Sequence, residues 1–591
     1  MIKDETEILS KVSDLWAAGE SIHSLQENRW ATNKRLATSK HITPRKLGQS
    51  ALFVPKIEAF HSRKQADYMA TFGSEDPVSL KPTLSSTKEG ARIMETVVNY
   101  YITDAGGINW PASILNAAHD SLTYNFAPWI VEWDRGVTVV NTDVVTMDEE
   151  GNTQVVKEEQ EVETHSFPCI ENIPPEDIRL DPAIGWDEVG MARFGVVRRY
   201  RDKSYAKRME KMGLWPEIPE AMYSDGMSGT QVLAQERAHL NSPFDKSVDI
   251  DNGLLEILYT YYYEEFDGEL VPSVVVSLKD MLILEDPTEL EFDISSNDGS
   301  NPWPFGVARV YVEPHELYSR AMPEKLESMQ VETNARRNQR LDNVALILNR
   351  EKFMTPEAGV DPAVLSRSFA GKVTTVKSPS SVWWDAPPDV TASSYQEEAM
   401  SVSDMENLVA ESAQRMGQGG KASESATNTK IKSANSAQAM GLDVAIFALT
   451  GPNSMVEKII RMVRLAADPA IFEAAAASIG IVVEDAYMEA VTGDYRIKVG
   501  AGAHQAAKDL SISNAANIAA IIQSVYGPAA QYNKIMEPML SENGYNPDDI
   551  LPAPQGQPQT APQDAGGMSG EADLTVQPNV QMTGGQFGGG Q

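Results

Sequence analysis

Cysteine is almost absent from this chain: Cys169 is the single one in 591 residues. That excludes an internal disulfide framework and a thiolate metal cluster, and it suits assembly in a reducing cytoplasm. Cys169 lies among apolar neighbours in SFPCIENI, the setting of a buried structural thiol rather than a nucleophile. The eight histidines, including His61, His119, His165 and His315, show no zinc spacing. No run approaches the roughly eighteen apolar residues of a membrane span. The opening MIKDETEILSKVSDLW reads as a charged amphipathic helix and not as a targeting signal. Positive charge is scarce too. Fifty Lys and Arg face 84 Asp and Glu, a formal net charge of −34, which argues against a protein that binds nucleic acid by neutralising phosphates.

Catalytic motifs are missing as well. GQGGKAS (Gly417–Ser423) imitates a phosphate-binding loop, but Arg415 stands where the first glycine belongs and Ala422 where Ser or Thr belongs. VGAGAHQ places Gln505 at the third glycine of a dinucleotide turn. No GxSxG elbow occurs. Carboxylates are so numerous that no single pair is informative. The chain reads as non-enzymatic, with no cofactor.

What is present is a soluble, multi-domain composition: 42% hydrophobic and 23% charged over a length that suits three or four domains. Residues 1–40 carry Ile8, Leu9, Val12, Leu15 and Trp16 at helical spacing, followed by a basic cluster of Arg29, Lys34, Arg35, Lys40, Arg45 and Lys46. In KLGQSALFVPKIEAFHSRKQADYMATF an apolar strand leads into a helix. Thr87–Thr103 and Pro111–Tyr124 read as helices, and Met94, Val97, Val98 and Tyr101 share one face of the first. PWIVEWDRGVTVV to QEVETHSF alternates apolar and polar residues around DEEGN (Asp148–Asn152), a β-hairpin pattern. A helix near Lys203 is surrounded by Arg199, Arg201, Lys203, Lys207, Arg208 and Lys211, which reads either as a solvated face or as a contact for an acidic neighbour. LLEILYTYYYEEFDGELVPSVVVSLKDMLILE is a β-meander with turns at Phe266–Glu269 and Lys279–Asp280. From about Pro552 the chain is Gln/Pro/Gly-rich without Lys or Arg, which predicts a disordered tail.

The richest pattern lies between His315 and Leu465. Two long helical segments, Pro323–Leu348 and Thr391–Met416, flank the turn-rich stretch Asn349–Val390. At about 1.5 Å per residue each helix spans roughly 35–40 Å, well above the usual three or four turns. The first has apolar ends and a polar middle of Thr333, Arg336, Arg337 and Arg340, which a helix sunk in one core would not keep. A Gly/Ser-rich break, GQGGKASESATN (Gly417–Asn428), precedes a third helical segment, which Gly451–Pro452 should kink or break. NPWPFGVARVYVEPHELYSR introduces the first helix, and IENIPPEDIRLDP follows the hairpin.

Long helix, small knob, return helix, flexible loop and long helix, with these flanking phrases, resembles the portal (head–tail connector) proteins of tailed double-stranded DNA phages. The closest likeness is to those of short-tailed phages. The resemblance implies an α+β portal fold with an α/β wing, a long-helix stem, a small α/β clip and a helical crown, assembled as a ring. On that division residues 1–300 form the N-terminal region and wing, and 301–348 the stem entry and first stem helix. The clip takes 349–390, the second stem helix 391–416 and the tunnel loop 417–428. Residues 429–551 supply a long kinked helix, the wing return and the crown, and 552–591 the tail. The tunnel loop would present Gly417, Gln418, Gly419, Gly420, Lys421 and Ser423 to DNA. Glu397, Glu398, Asp404, Glu406 and Glu411, offset only by Arg415, would line the channel with negative charge. In the clip, Trp383 and Trp384 would pack between neighbouring clips or, as a second role, contact an adaptor, with Lys372 and Lys377 beside them. Neighbouring subunits would meet through Leu326, Met329, Arg336, Arg337, Arg340, Leu341 and Val344. The implied role is a dodecameric DNA channel at one capsid vertex, serving head assembly, packaging, retention, ejection and tail attachment. A twelve-fold ring would carry roughly −400 before screening. Implied partners are further copies of the chain, the terminase large subunit, tail adaptors, the major capsid and scaffolding proteins, and DNA in passage; no membrane is expected. It would reside in the virion after assembly in the host cytoplasm. The alternative is another ring-forming adaptor or nozzle protein of the virion.

Overall fold

The computed structural model describes residues 5–42, 48–74, 76–83, 86–147, 153–222, 254–266, 268–279, 281–290, 301–348, 352–367, 372–384, 391–409 and 441–500. Helices and antiparallel sheets are mixed throughout, an α+β architecture.

The first hydrophobic core gathers around α3 (Lys88–Thr103) and α4 (Trp110–Tyr124). Thr87 caps α3 by accepting from Gly90 N, and Asn109 caps α4 by accepting from Ala112 N, with Pro111 in the first turn where its missing N–H costs nothing. The inner face of α3, Ile93, Met94, Val97, Val98 and Tyr101, is fully buried. The chain leaves α4 through Asn125 in the left-handed region (φ 55°), and that side chain accepts from Val310 N and Tyr311 N. The same core takes in α9 (Pro452–Ala466), α10 (Pro469–Ser478) and α11 (Ala486–Val491). The helical stretch 441–450 ends at Gly451, and Pro452 opens α9, the break that the Gly-Pro pair foretold. β1 (Val78–Pro82) pairs antiparallel with β12 (Tyr495–Val499), a long-range pairing that no local pattern announces.

β2 (Ala127–Met147) and β3 (Thr153–Asn172) form the expected hairpin, in register from Trp129↔Asn172 to Met147↔Thr153 with an irregularity at Gly136/Val137. Twenty-one residues of strand reach about 70 Å. β9 (Phe305–Ala308) pairs only with its base, at residues 127–130. The turn residues 148–152 lie outside the described set. A five-stranded antiparallel sheet follows, in the order β4 (Ile178–Leu180), β5 (Phe194–Asp202), β6 (Leu254–Phe266), β7 (Glu269–Leu278) and β8 (Leu282–Glu289). One face buries Val196, Leu258, Tyr262 and Val275 under α1 (Glu5–Ala37), through its Ile8 and Val12. The other buries Ile257, Val276 and Leu284 under α5 (Lys203–Lys211) and Trp215.

The middle of α1 is held by charge. Trp16 lies 4.6 Å from the Arg179 guanidinium and 5.2 Å from that of Arg198. Arg179 pairs with Glu20 and Glu27, and Arg198 with Asp177. Gly19 permits this approach, because a Cβ there would stand 2.7 Å from Arg179 Cβ. Two of the basic residues grouped with α5 are spent inside the chain as well. Arg199 is buried against Glu132 and Glu171, and Lys203 meets Glu220. Cys169 is half-buried, and burial pushes its thiol up to about 11, so it is an inert structural thiol at neutral pH.

Candidate functional site

Two antiparallel helices dominate the region singled out by sequence: α6 (Met322–Leu348) and α8 (Thr391–Leu408). The lower part of α6 is apolar, and Met322 and Leu326 are buried with Leu36, Ile57, Phe60, Met405 and Val409. Above it the contact between the helices turns polar. Thr333 Oγ1 lies 3.2 Å from Ser401 Oγ, Arg336 pairs with Glu397 at 2.9 Å, and Arg340 pairs with Glu398. Arg340 also donates to Ser394 Oγ, and its guanidinium rests 4.0 Å from the centre of the Tyr395 ring. Arg337 stands 3.9 Å from the same Glu398.

The polar middle of α6 therefore has an explanation inside one chain, and three expectations change. Leu326 and Arg340 are 0% and 4% exposed within their own chain, so their side chains are already packed there. Thr333 is buried against α8 and does not face water. Glu397 and Glu398 are not offset by Arg415 alone: arginines 336, 337 and 340 answer them across the hairpin. Of the remaining acids, Asp404 is exposed, and partial burial raises the carboxyl of Glu406 above its usual range despite nearby Lys56. Glu411, Arg415 and the loop residues Gly417, Gln418, Gly419, Gly420, Lys421 and Ser423 lie outside the described residues.

The opposite flank of α6 carries residues that sequence reasoning passed over. Gln330, Asn334, Asn338 and Asp342, four apart and so on one face, bind the backbone of residues 50–57. Ser50 N donates to Asp342 Oδ1 (2.8 Å), Leu52 N to Asn338 Oδ1 (2.7 Å), Val54 N to Asn334 Oδ1 (2.9 Å) and Ile57 N to Gln330 Oε1 (3.2 Å). Asn338 Nδ2 and Gln330 Nε2 return bonds to the carbonyls of Leu52 and Val54. ALFVP is thus extended, as read, but it is not a strand, because side chains of a helix take the place of a partner strand. The available signal was the i, i+4 run of amide and carboxylate side chains.

Between the helices, β10 (Lys352–Met354) and β11 (Val382–Trp384) form a two-stranded sheet with Phe353 opposite Trp383. These two rings stack at 5.7 Å, and Trp383 and Trp384 are about half exposed (49% and 56%). Lys372 is engaged locally: its Nζ donates to the carbonyls of Val364 and Arg367 at the end of α7 (Pro362–Ser366). Lys377 is exposed and its stem lies along Gly359. Met329 is half-buried, while Leu341 and Val344 are exposed on α6. The segment after residue 440 is tied back to the body. Lys64 of α2 (Lys56–Phe72) pairs with Asp443 at 2.6 Å, and Tyr68 stacks on Phe447 at 4.9 Å.

Among the described residues no cluster of His, Cys, Asp and Glu could hold a metal ion, and no helix is long and apolar enough to cross a membrane. No curated protein matches the chain. A family model described as "Phage SU10 portal protein" matches residues 156–582, well over half of the sequence and including both long helices. The chain belongs to this family of phage portal proteins, which are structural and not enzymatic.

Proposed function

We propose that the chain forms a twelve-subunit ring at one capsid vertex, through which double-stranded DNA enters and leaves the head. On this reading the ring docks the terminase large subunit during packaging, contacts the major capsid and scaffolding proteins during head assembly, and carries tail adaptors. Assembly takes place in the host cytoplasm. The observation that supports it best is the outer surface of the long hairpin. Val331, Leu341, Val344 and Leu346 on α6, and Met400 and Leu408 on α8, remain 39–67% exposed in one chain. So many large apolar side chains on two long helices suit a surface that copies of itself would cover. Met329, Arg336 and Arg337 border it.

The functional division follows the same logic. Residues 1–300 would be the N-terminal region and wing, α6 and α8 the stem, 349–390 the clip, 417–428 a tunnel loop with Lys421 near DNA, and 429–551 the wing return and crown. Asp404, Glu406 and Glu411 would supply the channel's negative charge, with Glu397 and Glu398 contributing less because they are paired. Phosphates passing within a Debye length of roughly 8–10 Å would be repelled and not held, which suits passage. Negative-stain microscopy and light scattering on the purified protein test the reading. Closed rings with a central hole are expected, and a stable monomer at every protein and salt concentration would overturn it.

A further inference from the structure

Residues 48–56 join α1 to α2 by way of the stem hairpin, and not one of their side chains is buried. Leu52 is 47% exposed, and Phe53 only borders the core around Leu326. The segment is fixed by its backbone: six hydrogen bonds of 2.6–3.2 Å link it and the following Ile57 N to Gln330, Asn334, Asn338 and Asp342. The helix side is equally particular. Beyond Met329, α6 contributes no buried apolar side chain among the described residues, so its upper half meets α8 on one flank and this segment on the other.

We propose that residues 48–56 are a releasable latch, which fixes the stem hairpin to the N-terminal helices and can open without unfolding either. Two features make release inexpensive. Opening uncovers little apolar core, because the latch's contribution to it is the half-buried Phe53. It also strands few polar groups, because the bonds of residues 50–54 are only part-buried and their freed amides and carbonyls are readily hydrated, while the one buried bond, Ile57 N to Gln330, belongs to α2 and stays closed. Two features make closure specific. An Asn or Gln side chain offers an acceptor and a donor at fixed separation, so it recognises a backbone N–H and C=O together. The four rungs also repeat every helical turn, so they read an extended chain in one direction only. Closed, the latch holds the upper hairpin in a single pose; open, it leaves α6 attached through its apolar lower third and α8. Local opening of this kind belongs to segments with few buried contacts. The device stands whether or not copies assemble as a ring.

Hydrogen–deuterium exchange on the full chain tests it, comparing the native sequence with Asn334→Ala plus Asn338→Ala. Alanine keeps α6 helical, since it is the best helix former. In the native chain the amides of Ser50, Leu52 and Val54 should be protected relative to free peptide, yet exchange at least roughly tenfold faster than the β5 and β6 core amides. In the variant the Leu52 and Val54 amides should speed up by roughly a hundredfold, with the core amides and the denaturation midpoint of the body unchanged. Three results would overturn the latch. They are native-chain protection as strong as that of the core, unchanged protection in the variant, and acceleration that spreads to β5 and β6. If the double variant fails to fold, Asn338→Ala alone removes both bonds to Leu52 and gives the same readings.

Discussion

Substituting His61 by Gln should remove one identifiable part of this protein's sensitivity to acid. His61 lies on α2 and is 5% exposed, with Nε2 2.9 Å from Thr123 Oγ1 and 3.4 Å from the His119 carbonyl, and its ring centroid 4.9 Å from the His119 ring. Burial first, and the neighbouring His119 second, push its pKa from the ordinary 6.5 down to about 4, against the raising effect of the His119 carbonyl. The unfolded chain therefore takes up a proton below pH 6.5 that the native chain refuses until about pH 4. Stability from this group is complete above 6.5 and is lost as pH falls between those values. A difference of about 2.5 in pKa, at roughly 1.4 kcal/mol each, amounts to about 3 kcal/mol at the acid end. Denaturant unfolding at fixed protein concentration, from pH 7.5 to 4.5, gives the assay. Other titrating groups, including buried His23, are common to both proteins and cancel in the difference. His61→Gln should be less stable than the native sequence at pH 7 and approach or pass it near pH 4.5. A gap between the two that stays constant across that range would refute the reasoning.

Three further outcomes follow from packing and charge. Gly19→Ala sets a methyl 2.7 Å from Arg179 Cβ and 3.3 Å from Leu180 O, and it should cost roughly 1–3 kcal/mol by denaturant unfolding. Glu398→Ala strands the buried Arg340 guanidinium and should cost roughly 3 kcal/mol, whereas Arg340→Met with Glu398→Met should restore most of it; equal loss in both variants would show that the pair itself is not responsible. Trp383→Ala with Trp384→Ala removes two half-exposed rings from a sheet of two strands. It should reduce tail attachment, counted by microscopy of virions, more than it reduces filling of heads.

Elements with a local period were legible in the sequence. The helix read as Pro323–Leu348 runs from Met322 to Leu348, and the meander turns fall where DG and KD placed them. Long-range arrangements were not. Nothing near Val78 indicates a partner more than four hundred residues away at Val499. The clearest limit of pattern reading concerns α6. A polar helix face was read as facing water or a neighbour, because an apolar stripe is the usual signature of burial. Here burial is achieved with amides and arginines, each answered by a backbone group or a carboxylate. Pattern reading scores hydrophobicity and cannot see a partner supplied by an extended segment nearly three hundred residues earlier. Arg336, Arg337 and Arg340 illustrate the same limit: their acids lie on a different helix, some sixty residues on.

The latch is also a vernier. Four residues of helix climb about 6 Å, whereas two residues of extended chain advance about 6.6 Å, so each successive rung falls about 0.6 Å further out of step. Across the two regular steps from Asp342 to Asn334 the accumulated slippage is about 1.2 Å. The last rung leaves this register: the backbone there steps three residues, from Val54 to Ile57, because the chain has turned into α2 at Lys56, and the longer glutamine side chain reaches it. Each regular rung thus uses a little more of the side chains' reach, and the ladder closes where the extended chain gives way to α2 at Lys56.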